Sequence, residues 1–499
     1  MSPGRRWLSL TGLIATALSL LGSGCAVGPD FKRPSAPPSE GYGNTALATT
    51  GVNNLPGGEP QHLVPGLDIP GQWWTVFHCQ PLDDLIDRAL KANPDVQSAQ
   101  AALRVAREQV LAQRGAYLPS VDAGLAASRQ KTSEQLAPTP SSGAVNFSLY
   151  TAQLSISYVP DVFGLNRRTV ESLTARADEA RFALIATHLT LTSNLALAAV
   201  QEASLRAQIA ATRELITINT DSLRILRNQN AAGYAGRLEV VAQESQLAQV
   251  EASLPPLLKQ LAQQRHILTA LSGSLPDQEI PESFEFSQMQ LPRELPLTVP
   301  AKLVEQRPDV RQAEENLHAA SAQIGVAVAN RLPNITLTGN VGSSAVGPSG
   351  IFAAGSEFWG LGGALTQPVF HGGTLLHQER AARAAYEQAA QSYRSTVLTA
   401  FQNVADTLTA LTQDADTLKA ASTAERSAAA TLELTRTQQQ RGYASYLALL
   451  NAEQAYQQSL LALVQARANR YGDSAALFQA LGGGWWNRDG LDNEQRPRQ

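Results

Sequence analysis

Two stretches of the chain carry the same apolar seam. Val96, Ala99, Leu103, Ala106 and Val110 step by three and four residues, and so do Val310, Ala313, Leu317, Ala320 and Ile324. That spacing keeps one face of a helix apolar and predicts two helices packed along coiled-coil-like seams. Asn93 is placed to cap the first, with Pro94 in the opening turn, where its missing N–H costs nothing. Pro119 and Pro333 close the two helices. Beyond each proline the period changes from 3.5 to 2. Val121, Ala123, Leu125 and Ala127 alternate with Ser120, Asp122 and Ser128, and Ala152, Leu154, Ile156 and Tyr158 with Thr151, Gln153, Ser155 and Ser157. Further on, Ile335, Leu337 and Val341 alternate with Thr336, Thr338 and Asn340, and Trp359, Leu361 and Leu365 follow. Four strands are predicted, near 119–130, 148–160, 333–343 and 358–369. Each is about ten residues, the length of a tilted membrane strand; small residues and weak alternation suit soluble hairpins equally. The connections 129–147 and 343–357 are loose, polar or Gly-rich.

A very long helical pattern follows each strand pair. From about 166 to 232, Leu205, Ile209, Ile216, Leu223 and Leu226 hold a 3–4 spacing. At 1.5 Å per residue that is a rod of roughly 100 Å. It turns at Gly233 and returns from about Arg237, where Pro255-Pro256 predicts a bend or a break. The same plan runs from about 373 to 441, turns at Gly442 and returns to about Leu481. The turns read RNQNAAGYAGRLEVVAQE and RTQQQRGYASYLALLNAE, 209 residues apart. Pro94 and Pro308, Asp95 and Asp309, Leu103 and Leu317, Gln109 and Gln323, and Leu118-Pro119 and Leu332-Pro333 pair at an offset of 214. The chain therefore reads as an internal duplication, 73–300 and 301–486, with helical hairpins at about 166–273 and 373–482. Residues 273–300 are a Pro-rich connector outside the rods, and 487–499 a flexible tail. Before the repeats, 25–72 is a Pro-, Gly-, Ser- and Asn-rich tether. Trp73 and Trp74 mark the start of order, and Leu82, Leu85, Ile86 and Ala89 a short amphipathic helix.

Composition narrows the classes. Charged residues make up 16% of the 499, and the net charge of −4 gives no basic field for nucleic acid. No run after residue 25 reads as long enough for a spanning helix, so any membrane contact is through strands or lipid. Arg5 and Arg6 precede a short apolar stretch, Trp7 to Leu21, and then LLGSGC. This resembles a bacterial lipobox: residues 1–24 are a signal peptide and Cys25 becomes an acylated N-terminus. Gly22 stands where Leu is usual, and Ala26 after the cysteine implies release to the outer membrane. The alternatives are a free thiol, or a disulfide with Cys79, the only other cysteine; the Arg pair also hints at a twin-arginine signal. Cys79 itself reads as an unpaired structural thiol.

Four strands cannot close a barrel, and an open sheet edge is not tolerated in lipid. If the strands enter a membrane, the chain must oligomerise. A 100 Å helical hairpin likewise has no core of its own. A ring of hairpins joined to a strand barrel is a long tube.

WWTVF with LDDLIDRAL and NPDVQSA, LPLTVPAKLVEQRPDVRQAE, the strand exits PDVFG and QPVFHGG, and RGYASYLALLNAEQ with LVQARANRY and ALFQALGGGW are similar to the TolC-type outer membrane factor family. Within it they resemble the NodT-like efflux lipoprotein branch, over about residues 20–486. The resemblance implies a mixed α and β fold: a homotrimer whose transmembrane β-barrel has twelve strands, four per chain, continuous with a long periplasmic α-helical barrel. It implies a lipid-anchored outer membrane channel of a Gram-negative bacterium, passively passing drugs or other toxic compounds. Energy would come from an inner-membrane pump, RND or MFS type, through a periplasmic adaptor. The covalent lipid on Cys25 is the only added group; no cofactor, metal or nucleic acid is implied.

By position, the adaptor would dock at Gly233, Tyr234, Ala235 and Leu238 and at Gly442, Tyr443, Ala444 and Leu447; these residues also suit a stable turn alone. The family often places Asp residues inside the second tip, where this chain has Ala448 and Asn451. Glu239 could ring the entrance instead, or be a solvated tip charge. Pro160 suits a strand end. No P-loop, HExxH, GxSxG or CxxC points to an enzyme. A coiled-coil lipoprotein leaves the strand pairs unexplained, a self-contained porin needs more strands, and a type I protein secretion duct shares the fold.

Overall fold

The computed structural model describes residues 26–38, 41–42, 57–131, 133 and 146–488, so Cys25 lies outside the described residues. The first half contains β1 (His62–Pro65), α1 (Gln80–Ala92), α2 (Pro94–Gly115), β2 (Ser120–Lys131), β3 (Asn146–Tyr158), α3 (Leu165–Ala231) and α4 (Arg237–Leu271). The second contains β4 (Glu294–Leu297), α5 (Pro300–Gln306), α6 (Pro308–Ala329), β5 (Asn334–Ala345), β6 (Glu357–Thr366), α7 (Thr374–Gln440) and α8 (Tyr446–Ala480). α2 and α6 both have 22 residues, α3 and α7 both 67, and α4 and α8 both 35. The four strands lie within a few residues of their predicted places; β3 and β6 stop short of Pro160 and Pro368, which cannot donate to a ladder.

The polypeptide divides into two compact units. One comprises Met1–Arg33, Leu103–Ala180 and Ala313–Tyr393. It holds a four-stranded antiparallel sheet in the order β2-β3-β5-β6. The other comprises Pro34–Ala102, Arg181–Gln312 and Arg394–Gln499. Neither unit coincides with one sequence repeat; each takes segments from both.

In the second unit, Asn93 both ends and begins a helix. Its N–H donates to Ala89 O, and its Oδ1 accepts from the N–H of Asp95 at 2.8 Å and Val96 at 3.3 Å. The predicted seams are buried at Val96 and Val310 in this unit and at Leu103, Val110, Leu317 and Ile324 in the first. The α3 seam holds at Leu205, Ile209, Leu223 and Leu226 and departs at one place. Leu215 and Asn219 occupy buried places, and Ile216 is only half-buried. Trp73 stacks on Phe478 with ring centroids 5.6 Å apart, and Tyr471 meets Phe77 and Phe286. Cys79 is buried, and burial pushes its thiol pKa up, which suits the structural role.

Three expectations need correction. β1 pairs in parallel with β4, His62 opposite Glu294, so the tether and the connector supply a sheet. Four residues are too few for a period to register. Arg470 fastens this segment, donating to Gly57 O, Glu59 O and Gln61 Oε1. Pro255 and Pro256 do not break α4, which runs unbroken through both. The carbonyls they leave without intrahelical donors belong to Glu251 and Ala252, which are exposed to water. Finally, α3 does contain an 18-residue window apolar enough by length and composition to cross a bilayer. That window is 61% buried inside the protein, so its apolar residues are taken up by packing.

Candidate functional site

The register sorts the sheet into two faces. Val121, Ile156, Gly339 and Leu361 form one row across it, and Ala123, Leu154, Val341 and Trp359 the next. All the large side chains of these rows are exposed, Leu361 at 83% and Trp359 at 77%. The opposite face carries Ser120, Ser157, Thr338 and Gly362 in one row and Asp122, Ser155, Asn340 and Gly360 in another. On that face Thr151 and Ser344 share a hydroxyl–hydroxyl hydrogen bond of 3.1 Å. Side chains alternate because successive Cβ atoms of a strand point to opposite sides. An apolar exposed face backed by a polar one suits a wall between lipid and water. The sheet's outer strands, β2 and β6, each have one unpaired edge among the described residues.

The segment after Cys25 docks in the same unit. Val27 N–H donates to Phe163 O at 3.1 Å, at the exit of β3. The buried Arg168 guanidinium donates to Val27 O and Gly28 O and pairs with Asp30 and Glu171 at 2.7 Å each. It holds the Asp30 carboxyl below its usual range. Gly28 has a positive φ of 94°, and a Cβ there would lie 2.4 Å from Gly325 Cα. Phe31 stacks on His318 at 4.3 Å, and hydrogen bonds to Glu315 and Glu171 hold His318 above its usual pKa. The sequence reading passed over these contacts; the run GPDFKRP gave them no periodic signal.

In the second unit, the two Gly-Tyr-Ala turns share one backbone solution. Gly233 and Gly442 have φ of 81° and 77°. Gly233 N–H donates to Asn230 O at 3.0 Å and Tyr234 N–H to Gln229 O at 2.8 Å. Gly442 N–H donates to Gln439 O at 3.0 Å and Tyr443 N–H to Gln438 O at 2.8 Å. This is the Schellman arrangement, which uses a left-handed residue to satisfy the last carbonyls of a helix. Tyr234 (87%), Leu238, Tyr443 (83%) and Leu447 are exposed; Ala235 and Ala444 are half-buried. Ala448 and Asn451 are exposed. Glu239 has a local partner: its carboxylate accepts from Gly236 N–H at 3.0 Å, at the start of α4. At the start of α8 the Ser445 hydroxyl accepts from Ala448 N–H at 3.2 Å.

Beneath these turns lies a polar chain that the sequence reading missed. Tyr446 O–H donates to Gln243 Oε1, and Gln243 Nε2 donates to Asn219 O and Oδ1 at 3.2 and 3.0 Å. All three residues are buried. Nearby Glu453 is 2% exposed; one carboxylate oxygen accepts from Ser222 at 3.4 Å and the other has no partner. Burial raises its pKa. The available signal was Asn219 standing in an apolar seam.

Known proteins extend these observations. The outer membrane efflux protein family matches residues 85–274 and 299–483. The toluene efflux pump outer membrane protein TtgF of Pseudomonas putida is 30% identical over 491 residues, covering 96% of this chain and 98% of that protein. Outer membrane protein OprJ of Pseudomonas aeruginosa is 29% identical over 484 residues, covering 95% and 96%. The solved structure of the outer-membrane channel OprN matches with a TM-score of 0.81 at 26% identity, covering 92% of this chain and 100% of that one. The family is one of outer membrane export channels and not of enzymes. With most of its length matched in two segments, the chain belongs to the outer membrane efflux protein family.

Proposed function

We propose that three copies of this chain form the outer membrane duct of a tripartite pump. In this reading β2, β3, β5 and β6 of three chains close a twelve-stranded barrel, and the long helices line a periplasmic conduit. The observation that carries it is the sheet itself: one apolar face, one polar face and two open edges. An edge left open in lipid costs several kcal/mol per unsatisfied group, so closure by neighbouring copies is the physical solution. Transport is passive, and an inner-membrane pump of RND or MFS type, joined through a periplasmic adaptor, supplies the energy. The substrates are small toxic compounds, drugs or solvents.

The finer assignments belong to the same proposal. Internal duplication is supported by the paired helix lengths and by two family matches that begin 214 residues apart, at 85 and 299. Acylation of Cys25 is supported by the docking of Ala26–Arg33 beside the β3 exit, which would set a lipid next to the sheet. Adaptor docking at Gly233, Tyr234, Ala235 and Leu238, and at Gly442, Tyr443, Ala444 and Leu447, is supported by the exposed Tyr and Leu side chains. An entrance gate would draw on Asn451 and on Glu239, whose cap it would have to leave.

Native mass spectrometry of protein extracted from outer membranes tests the duct. The expected result is a trimer whose subunits start at residue 25 and carry acyl mass. A lipidated monomer in the inner membrane or periplasm would overturn the barrel.

A further inference from the structure

The segment that follows Cys25 is held to α3 and α6 at two places. At its start the Arg168 guanidinium holds Val27 O, Gly28 O and the Asp30 carboxylate, and Gly28 sits tight against Gly325. Further along, the ring of Phe31 lies on the ring of His318, with centroids 4.3 Å apart and planes 13° from parallel. His318 in turn stands between two carboxylates. Its Nε2 is 3.2 Å from Glu171 Oε1 on α3, and its Nδ1 is 3.5 Å from Glu315 Oε2 on α6. Ionised carboxylates only accept hydrogen bonds, and a neutral imidazole has a single N–H. Serving both carboxylates therefore takes the imidazolium, with a proton on each nitrogen. The other charges around the ring have partners of their own. Glu171 Oε2 accepts from Arg168 at 2.7 Å, and Glu314 pairs with Arg33 at 2.9 Å. Lys32 and Arg167 act on Asp30.

We propose that the His318 imidazolium is a pH-released latch on the segment after Cys25, fixing Phe31 against α3 and α6 while it keeps its second proton. Once deprotonated, the ring can donate to only one carboxylate. Its bare nitrogen then faces the other, and Phe31 loses the cation from its face. What remains at this end is the Arg33–Glu314 pair, whose arginine side chain is 46% exposed, and an exposed pair holds weakly. Arg168 keeps its charge throughout, so release is confined to the Phe31 end and Gly28 stays docked. The Glu315 hydrogen bond first, and Glu171 with it, hold the His318 pKa above its ordinary 6.5. The docked state thus binds the proton more tightly than the released one. The latch is fully set below about 6.5 and is lost as pH rises through the docked value, which lies higher. It requires neither an acyl group nor transport, and so goes beyond the duct assignment.

The test is chymotrypsin cleavage of the purified intact protein at the Phe31–Lys32 bond. A free peptide of residues 26–38 corrects for the protease's own pH dependence. Phe31 must leave His318 before the protease can take its side chain, so the cleavage rate follows the released population. Between about pH 6 and about pH 9 the ratio of protein to peptide cleavage should rise, by up to about tenfold per pH unit, the limit for one proton. His318→Gln, neutral throughout, should be cut faster than the parent at acid pH and show a flat profile. His318→Arg supplies a permanent planar cation that stacks on rings and meets carboxylates in a fork, so its profile should be flat and slow. Glu315→Gln removes one carboxylate and should move the rise to lower pH. A flat profile in the parent, or the parent's rise unchanged in both His318 variants, would overturn the latch.

Discussion

The two hairpin turns solve one problem twice, but the ground beneath them differs. Above, the solutions coincide bond for bond: Gly233 and Gly442 take the same positive φ, and each following Tyr N–H reaches back to close the helix. Below, equivalent residues have opposite fates. Glu244 is part-exposed and pairs with Arg227 at 2.7 Å, whereas Glu453, 209 residues later, is buried with one oxygen unpartnered. The caps differ too, a carboxylate reaching back in one and a hydroxyl reaching forward in the other. A turn depends on a few adjacent residues, so repeating them repeats it. Burial depends on what packs alongside, and that is not repeated.

The largest expected effect lies where the two turns differ most in burial. Burial raises the Glu453 pKa above its unfolded value, so the native state holds a proton longer than the unfolded chain. Stability should fall as pH rises from about 4.5 upward, and Glu453→Gln should lessen that fall; thermal melts of the two proteins across pH would show this. Next comes Tyr446→Phe, which strands Gln243 Oε1 and should cost about 1–3 kcal/mol in denaturant unfolding. Gly233→Ala and Gly442→Ala should each cost about 1–2 kcal/mol, since both force an L side chain into left-handed backbone. Hydrogen exchange at the two turns should respond alike; a large asymmetry would break the claim that the turns are equivalent. Ser445→Ala should cost about 1 kcal/mol. Glu239→Gln keeps an acceptor for Gly236 N–H and should cost only a few tenths, about the scale of an exposed helix-terminus charge.

What was readable in the sequence was what depends on neighbours along the chain. The seams from Val96 and Val310, the strand alternation and the Gly-Tyr-Ala turns each have a short period or a fixed local chemistry, and each stands where it was placed. The failures were mostly long-range. His62–Pro65 became a strand because Glu294–Leu297 lies beside it, each residue paired with one 232 positions on, and four residues carry no period. Pro255-Pro256 stayed helical, and Glu251 and Ala252, whose carbonyls lose their donors, are exposed residues. The docking of Gly28 on Gly325 depends on three-dimensional proximity that no local pattern encodes. At the turns, the hydrogen bond from Gly236 N–H to Glu239 went unseen in spite of the three-residue spacing that defines such a cap.

The unpaired borders of β2 and β6 have a consequence for how the protein matures. If copies complete one another's sheets, forming the wall and associating are a single kinetic event. A lone chain would carry 12 residues of open ladder on β2 and 10 on β6, both able to join any extended peptide nearby. Its yield would then depend on the supply of partners rather than on intrinsic folding speed. Slow synthesis would lengthen the vulnerable interval, because encounters become rarer as copy number drops. Stability of the finished wall would likewise be inseparable from protomer concentration.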